Sequence, residues 1–463
     1  MRPNSSLIKA SLTGALGGLL FGFDTVVISG VIAALTAQFH LSEYGKGWTV
    51  AIALIGTVIG SFGAGMAGNK FGSRETLRLT AILYIVSALG SALAWSWFSL
   101  MVFRLLGGLG IGASSVLGPV YIAELSPAKW RGRLVGAFQF NVVFGVLAAY
   151  TSNYAIRLLH LGATEWRWQV SVAAIPAFAF LALLYSIPRS PRWSAAHDRF
   201  DEALDVLRTM GEPDPETALA DIRAALAEEN ATAHEPIFRW KYRYPLFLAI
   251  TIGAFNQLTG INAILYYLND IFHAAGFSQL SGDQQSIAIG FTNFLFTIVG
   301  MSVIDKLGRK TLLLIGAAGD TACLSGVAWV YATGTHADLL VWFLVAFIAF
   351  FSLSQGAVIW VYIGEVFPNH VRAKGQGVGN GSHWTMNTVI SLTFPAVAAT
   401  LGQSVPFIFF AVMTGVQFFT VLFFYPESKG LSLEDLQRRL LRSERSAEDG
   451  GAVLAGSGSD SSE

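Results

Sequence analysis

The chain has 463 residues, of which 53% are hydrophobic and only 13% are charged. Soluble domains carry about 25% charged residues, so most of this chain must contact lipid or other apolar helices. Thirty basic and thirty acidic residues balance to a net charge of zero, which argues against a nucleic-acid-binding protein, and the single cysteine, Cys323, excludes an intrachain disulfide framework.

Twelve apolar segments are long enough to cross a bilayer, for which about 20 residues suffice. In chain order they lie at roughly 9–36, 48–68, 75–96, 99–123, 134–157, 168–187, 243–272, 283–304, 311–333, 339–364, 373–400 and 404–425. Six precede and six follow one long polar segment. The pattern predicts an all-α membrane protein with an N-terminal six-helix bundle over 1–187 and a C-terminal six-helix bundle over 243–427.

The polar segments indicate how the chain is oriented. We expect short amphipathic helices over 188–242, and a tail over 428–463 with one polar helix from Leu433 to Leu440 and disorder after about 446. With this topology only Lys46, Arg157 and Arg167 lie on one side of the membrane, while most other basic residues lie on the opposite side. Loops rich in Lys and Arg are cytoplasmic, so the opposite side and both termini are predicted to be cytoplasmic.

One motif occurs twice, at a constant offset of 241 residues. Tyr121, Glu124, Pro127 and Arg131 recur as Tyr362, Glu365, Pro368 and Arg372. In each copy an apolar segment ends at an acid, a proline and an arginine. Two similar halves in a membrane are typical of proteins that move a solute between compartments.

Two ionisable residues lie inside the first half's spans. Asp24 lies about fifteen residues into the first span, and Arg104 lies near the start of the fourth. A charge at the bilayer centre costs at least about 2.5–3.5 kcal/mol, so each residue needs a reason to be there. If Arg104 approaches Asp24, the pair is either a proton-coupling site, whose balance of charge changes with conformation, or a static buried ion pair.

Uncharged polar residues cluster in particular spans. They are Gln139 in the fifth, Gln257 and Asn262 in the seventh, Asn293 in the eighth, Trp360 in the tenth, and His383, Trp384 and Asn387 in the eleventh. Gly260 lies between Gln257 and Asn262 and is expected to loosen that helix. Amides beside aromatic rings suit a neutral polyol, because they pair with its hydroxyls and cover its C–H surface. The alternative is that these amides join helices to one another.

The sequence leaves alternative roles for two other polar residues. Asp320 is a mid-span acid with no obvious partner in the sequence, so it either faces a polar seam or is protonated. His383 either donates to a sugar hydroxyl, titrates and contributes to pH dependence, or is a neutral core histidine.

These motifs resemble those of the sugar porters of the major facilitator superfamily, and are most similar to bacterial sugar–proton symporters. The resemblance covers residues from about 10 to 432. It is carried by Gly-Gly-Leu-Leu-Phe-Gly-Phe-Asp at 17–24, Arg104 with the glycines at 107–112, both copies of the repeated motif, Pro188 to Trp193, Gln257 to Tyr267, Asp305 to Lys310, and Pro426 to Gly430.

The resemblance implies a role for each group of residues. Asp24 would accept the proton, with Arg104 as its partner. The sugar would contact Phe21, Gln139, Gln257, Asn262, Tyr266, Asn293, Trp360, His383 and Trp384. Charge pairs would close the cytoplasmic gate in the outward-facing state, through Glu124, Arg131, Asp305, Arg309, Glu365 and Arg372. No metal, cofactor or catalytic residue is expected, and the protein is expected to function as a monomer in the cell membrane.

The sequence departs from the family pattern at a few positions. Asn256 stands where the family usually has Gln, and His383 where it commonly has Gln or Asn. Ala357 replaces the usual proline before Trp360, and Arg189 replaces an acid. Val146 stands where xylose-type members have Gln, which argues against xylose as the best substrate. The expected function is import of a monosaccharide, most readily a hexose, with a proton by alternating access. A facilitative sugar uniporter, an inositol or polyol symporter, and a non-transporting receptor remain as alternatives.

Overall fold

The structure is a computed structural model that describes residues 4–232, 236–368 and 371–429. The polar helix and the disordered tail expected beyond residue 430 lie outside these residues. The described part of the chain is helical and contains no β-strand.

The first half contains seven helices. They are α1 (Ser5–Phe39), α2 (Glu43–Phe71), α3 (Ser73–Ala92), α4 (Trp97–Leu125), α5 (Ala128–Arg157), α6 (Glu165–Ser171) and α7 (Ala174–Leu184). The last two form one span interrupted at its middle. Polar caps begin several of these helices: the Asn4 side chain, for example, accepts a hydrogen bond from the backbone N–H of Leu7 at 2.8 Å.

Three shorter helices follow, and the second half contains the remaining nine. The short helices are α8 (Pro191–Ala196), α9 (Phe200–Met210) and α10 (Pro215–Thr232). The second half comprises α11 (Arg243–Leu258), α12 (Ile261–Tyr266), α13 (Leu268–Ala274), α14 (Gln279–Leu307), α15 (Arg309–Thr333), α16 (Ala337–Leu353), α17 (Gln355–Glu365), α18 (Arg372–Leu401) and α19 (Ser404–Phe424).

Ten of these helices or helix pairs are long and apolar enough to cross a membrane. The helices α3 and α18 contain more polar residues but are 20 and 30 residues long, and complete a set of twelve. The predicted all-α architecture of twelve spans in two six-helix bundles is therefore confirmed. The two halves meet where α2 packs on α18 and where α5 packs on α14.

The short helices α8–α10 mark one end of the bundle, which we call the linker face. There α8 and α9 contact α4, and α9 also contacts α1. The indole N–H of Trp193 on α8 donates to the carbonyl of Asn69 at the end of α2, at 3.1 Å. The other end of the bundle, where α5 ends and α14 begins, is called the opposite face.

The repeated motif is also repeated in its contacts. The Tyr121 hydroxyl donates to the carbonyl of Pro188 at 2.7 Å, and the Tyr362 hydroxyl donates to the carbonyl of Pro426 at 3.1 Å. Both copies lie at the linker face, and each fixes the end of a long span to the segment that follows the last span of its own half. The same sequence pattern therefore produces the same local structure twice.

Two spans of the second half are broken. The seventh is divided into α11, α12 and α13, and the tenth into α16 and α17. The break in the tenth span is at Ser354, whose hydroxyl donates to the carbonyl of Phe350 at 2.7 Å. The span therefore breaks three residues before Ala357, without the proline that the family usually has there, and the Ser354 side chain bonds back to the preceding turn.

Candidate functional site

A cavity lies between the two halves near the middle of the membrane-spanning helices. It encloses about 810 Å³ of space free of protein atoms, including the part open to solvent. All nine residues that the sequence predicts to contact sugar line this cavity: Phe21, Gln139, Gln257, Asn262, Tyr266, Asn293, Trp360, His383 and Trp384.

The break in the seventh span places two amides on the cavity wall. Gly260 separates α11 from α12 and has a φ of +79°. A side chain at this position would also collide with the ring of Phe410 on α19. Glycine is therefore required on two counts, and the expected loosening of the helix is confirmed. As a result Gln257 lies at the end of one helix and Asn262 at the start of the next.

The amides form a connected network. Asn262 Nδ2 donates to Gln257 Oε1 at 3.1 Å, and Gln257 Nε2 donates to Asn256 Oδ1 at 3.0 Å. Gln257 Nε2 also lies 3.3 Å from both ring nitrogens of His383. Gln257 is thus the centre of the network, and its neighbours fix its orientation before any ligand binds.

Aromatic rings form the other walls. The rings of Phe21 and Trp384 lie 5.7 Å apart, and His383 lies 5.0 Å from both Trp360 and Trp384. Trp360 is 40% exposed while Trp384 is only 4% exposed, so the face of Trp360 is available to a ligand. Rings beside amides match what the C–H faces and hydroxyls of a sugar require.

The structure adds wall residues that the sequence did not single out as ligands. Asn256, Thr25 and Thr297 contribute polar groups, and Gly356 and Ile359 follow the break in the tenth span. Asn256 is adjacent to Gln257, and Thr25 to Asp24. Their position next to predicted site residues could have identified them from the sequence. The break at Ser354 had no such signal, because Ala357 stands in place of the expected proline.

A much smaller cavity lies beside Asp24. It is lined by Asp24 and Arg104, and it shares Thr25, Tyr266 and Trp384 with the larger cavity. Asp24 and Arg104 are 8% and 5% exposed. The predicted carboxylate and guanidinium are therefore brought together beside the polar cavity.

Asp24 and Arg104 face each other without forming an ion pair. Arg104 Nε instead donates to the carbonyl of Thr49 at 2.9 Å, and Asp24 accepts no hydrogen bond from any residue that the structure describes. A side chain on Gly107 would lie 3.5 Å from Asp24 Oδ2 and would collide with the Ser87 hydroxyl, so glycine keeps this space open. The static ion pair considered from the sequence is not formed in this conformation.

The predicted gate residues lie at the linker face. Arg309 donates to Asp305 and to Glu365, both at 2.9 Å. In the first half the Ser73 hydroxyl donates to Glu124 at 3.5 Å. The two repeated arginines each donate to a backbone carbonyl five residues earlier: Arg131 to Ser126 at 3.5 Å and Arg372 to Phe367 at 3.4 Å. Each of these contacts joins two residues of the same half.

Asp320 lies outside both cavities. It is fully buried on α15, and neither carboxyl oxygen has a hydrogen-bond partner among the described residues. The same part of the chain contains no group of three or more His, Cys, Asp or Glu side chains arranged to hold a metal ion.

Comparison with known proteins identifies one family. The family model described as "Sugar (and other) transporter" matches residues 10–440. The glucose transport protein of Synechocystis is 34% identical, over 94% of this chain and 100% of its own. The arabinose-proton symporter of Bacillus subtilis is 34% identical, over 93% and 94% of the two chains.

Solved structures of a bacterial xylose transporter share the fold. The partially occluded inward-open conformation of XylE from Escherichia coli has a TM-score of 0.83 and is 31% identical, over 93% of this chain and 100% of that one. The proton:xylose symporter XylE bound to 6-bromo-6-deoxy-D-glucose has a TM-score of 0.79 and is 32% identical, over 95% and 100% of the two chains.

Proposed function

The chain belongs to the sugar transporter family of the major facilitator superfamily, and we propose that it imports a hexose together with a proton by alternating access. The observation that carries this proposal is the wall shared by the two cavities. Thr25, Tyr266 and Trp384 face both the amide-lined cavity and the small cavity of Asp24. A ligand in the first cavity therefore changes the surroundings of the acid in the second.

Sugar recognition is assigned to the amide network and the aromatic walls. Gln257 and Asn262 have both donors and acceptors, so they can pair with adjacent hydroxyls of one sugar ring. Gln139 and Asn293 add amides from the fifth and eighth spans. Trp360 offers a ring face for the C–H surface of the sugar.

We infer a hexose because of the wall formed by the fifth span. Val142, Val143 and Val146 line the cavity on this side. In its pyranose form a hexose carries a hydroxymethyl group that a pentose lacks, and these apolar side chains can pack against the CH₂ of that group. The arabinose-proton symporter and the glucose transport protein show that relatives are named for both pentose and hexose substrates.

Proton coupling is assigned to Asp24 with Arg104 as its partner. A carboxylate buried beside Arg104 without a hydrogen-bond donor is sensitive to small changes in the position of that cation. Movement of Arg104 toward Asp24 favours the carboxylate, and movement away favours the protonated acid. Release of the proton is thereby tied to the conformation of the first half.

We further propose that the linker face is cytoplasmic, with both termini on that side of the cell membrane, and that the protein functions as a monomer. The excess of Lys and Arg at this end supports the orientation. The conformation described here is then inward-facing, in keeping with its similarity to the inward-open structure of XylE.

The gate at the cytoplasmic side is assigned to the two copies of the repeated motif and the adjacent loop. In the outward-facing state Glu124, Arg131, Glu365 and Arg372 approach across the two halves, together with Asp305 and Arg309. Charge pairs that form in one state and separate in the other give such a gate two stable positions.

The decisive experiment measures sugar-induced proton uptake in proteoliposomes that contain the purified protein. Wild-type protein is expected to acidify the lumen when a transported hexose is added outside. Asp24→Asn is expected to abolish both proton uptake and uphill accumulation while retaining sugar exchange, because the amide carries no titratable proton. Asp320→Asn is the matched control, since it removes another buried mid-span acid that faces neither cavity, and it is expected to retain coupling.

Two outcomes would select an alternative. If Asp24→Asn still accumulated sugar against its gradient, Asp24 would not be the coupling site. If the wild-type protein equilibrated sugar without moving protons, it would be a uniporter. A competition panel of hexoses, pentoses and inositol, measured against labelled glucose, separates the hexose proposal from pentose and polyol transport.

The alternative classes have less support. Relatives in this family are transporters, and we propose that this chain has no enzymatic activity and needs no cofactor. A non-transporting receptor would bind sugar in these proteoliposomes without exchanging it across the membrane.

A further inference from the structure

Polar contacts join the two halves between the cavity and the opposite face. The Tyr150 hydroxyl donates to the carbonyl of Leu265 at 2.8 Å, and the backbone N–H of Asn269 donates to the Ser29 hydroxyl at 3.3 Å. Further contacts between the halves join Arg157 to Asp283 and Gln279, and Gln284 to Tyr154. This end of the bundle is therefore closed by hydrogen bonds and not by apolar packing alone.

Arg157 is the centre of these contacts. It is the last residue of α5, and its guanidinium donates to the carboxylate of Asp283 on α14, in the other half. The same guanidinium donates to Glu165 at 3.1 Å and to the carbonyl of Gly30 on α1 at 3.0 Å, both in its own half. The Arg157 and Asp283 side chains are 15% and 2% exposed, so the pair is largely shielded from water.

Asp283 connects this pair to the broken seventh span. Its second oxygen accepts a hydrogen bond from Asn269 Nδ2 on α13. Asn269 is held from the other side by Ser286, whose hydroxyl donates to Asn269 Oδ1 at 2.7 Å. Asn262, on the cavity wall, lies one helix earlier in the same span, so the charged pair and the sugar-facing amides share one interrupted helix.

We propose that Arg157 and Asp283 form an extracellular latch that holds the transporter in its inward-facing conformation. The proposal rests on the orientation given under the proposed function. Opening the opposite face requires the two halves to part there, and the two charges then separate into water. Because the pair exists in one conformation only, it stabilises that conformation and lowers the population of the outward-facing one.

Arg157 and Asp283 are positioning residues in this account. They contact neither cavity, and they set how often the cavity faces outward. Their removal changes the equilibrium between conformations, so the test needs a readout of conformation as well as of transport.

The test measures access to Ser29 from outside. Ser29 is 1% exposed and lies at the interface between the halves, so a cysteine there reacts with a membrane-impermeant maleimide only when the opposite face opens. The reporter is Ser29→Cys in a Cys323→Ser background, because Cys323 is the chain's single cysteine. Labelling is followed in right-side-out vesicles.

Asp283→Asn is the primary variant. It keeps the side-chain shape, and Arg157 retains Glu165 as a counter-charge, so no charge is left unpaired. The labelling rate is expected to rise roughly fivefold, a typical coupling between two conformations. Arg157→Gln removes the other partner and is expected to change the rate in the same direction.

Glu165→Gln is the matched control. Glu165 binds the same guanidinium but belongs to the same half as Arg157, so its loss is expected to leave the labelling rate unchanged. If Asp283→Asn and Arg157→Gln, both monodisperse in detergent, labelled at the rate of the reporter protein alone, the latch would be disproved. An equal increase for Glu165→Gln would likewise overturn it, by showing general loosening of this surface.

The readout separates this inference from the proposed function. If Asp283→Asn raises labelling while no sugar of the panel is transported, the latch stands and the substrate proposal fails. If sugar-coupled proton uptake is normal while labelling is unaffected by both variants, the function stands and the latch fails.

Discussion

The first and seventh spans begin the two halves, yet they differ in continuity. The helix α1 runs unbroken over 35 residues and carries Asp24 near its middle. The seventh span is divided into α11, α12 and α13 and carries Gln257 and Asn262 on either side of Gly260. The unbroken helix therefore holds the acid at a fixed depth, while the broken one frees side chains and backbone to face a ligand.

The fourth and tenth spans repeat this difference. The helix α4 is continuous from Trp97 to Leu125 and carries Arg104, whereas the tenth span is broken at Ser354, just before the segment that contains Trp360. Asp24 and Arg104 therefore lie on continuous helices of the first half. The residues Gln257, Asn262 and Trp360, for which we propose sugar contacts, lie close to the two breaks of the second half.

The largest expected effect comes from replacing the glycine at the break in the seventh span. Gly260→Ala introduces a side chain at positive φ, costing roughly 1–2 kcal/mol, and overpacks it against Phe410 at a further cost of roughly 1–3 kcal/mol. We expect a clear fall in the thermal midpoint of the purified protein and loss of sugar binding. Both are measured in detergent by a thermal-shift assay with and without sugar.

A glycine in an unbroken span is the control for this prediction. Gly65 on α2 has open space around the position of a side chain. Gly65→Ala is expected to stabilise the helix by roughly 0.5–1 kcal/mol. Equal thermal midpoints for Gly260→Ala and wild type would show that the break does not depend on glycine.

The next effect compares an amide from each half. Gln257→Ala removes the centre of the network and leaves Asn256 and Asn262 without their partner, so we expect sugar affinity to fall roughly tenfold to a hundredfold. Gln139 forms no hydrogen bond with the described residues, and Gln139→Ala is expected to cost less than roughly tenfold. Calorimetric titration of the purified variants measures both, and a larger effect for Gln139 would contradict the assignment of recognition to the second half.

The smallest effects are expected at the linker face, where the two halves also differ. Glu427 accepts hydrogen bonds from the backbone N–H groups of Arg309 and Lys310 at 2.9 and 3.1 Å, and so caps α15. At the matching place in the first half Arg189 lies 3.7 Å from Glu75 and 3.8 Å from Glu202. The second half therefore has a helix cap at this place, whereas the first half has partly exposed ion pairs.

This difference predicts unequal costs. Glu427→Ala is expected to lose about 1 kcal/mol of stability, because two helix N–H groups lose their acceptor. Arg189→Ala is expected to lose less than about 0.5 kcal/mol, because its pairs are long and partly hydrated. Chemical denaturation in mixed micelles measures both, and the reverse order would show that the first half depends on its arginine more strongly than the second depends on its acid.

Much of this architecture follows from the sequence for simple reasons. Spans are long apolar segments, so their number and order could be predicted, and the loosening at Gly260 followed from glycine between two amides. All nine predicted sugar-contacting residues line one cavity. Their roles stay predictions, because lining a cavity is not the same as binding a ligand.

Other features depend on distances that a sequence does not contain. The tenth span breaks at Ser354 and not at a proline, and the Ser354 hydroxyl donates to the carbonyl of Phe350 there. Arg104 and Asp24 line the same small cavity, but Arg104 Nε donates to the carbonyl of Thr49, a contact that depends on how α2 packs on α4. The pairing of Arg157 with Asp283 joins residues 126 positions apart, and no local pattern indicates it.

The wall shared by the two cavities also has a thermodynamic consequence. Equilibrium linkage is reciprocal, so if a bound sugar changes the proton affinity of Asp24 by some factor, protonation must change the sugar affinity by the same factor. Among the described residues, three side chains face both sites: Thr25, Tyr266 and Trp384. The exchange of free energy between a chemical gradient of protons and one of sugar would then pass through an area no larger than a few side chains.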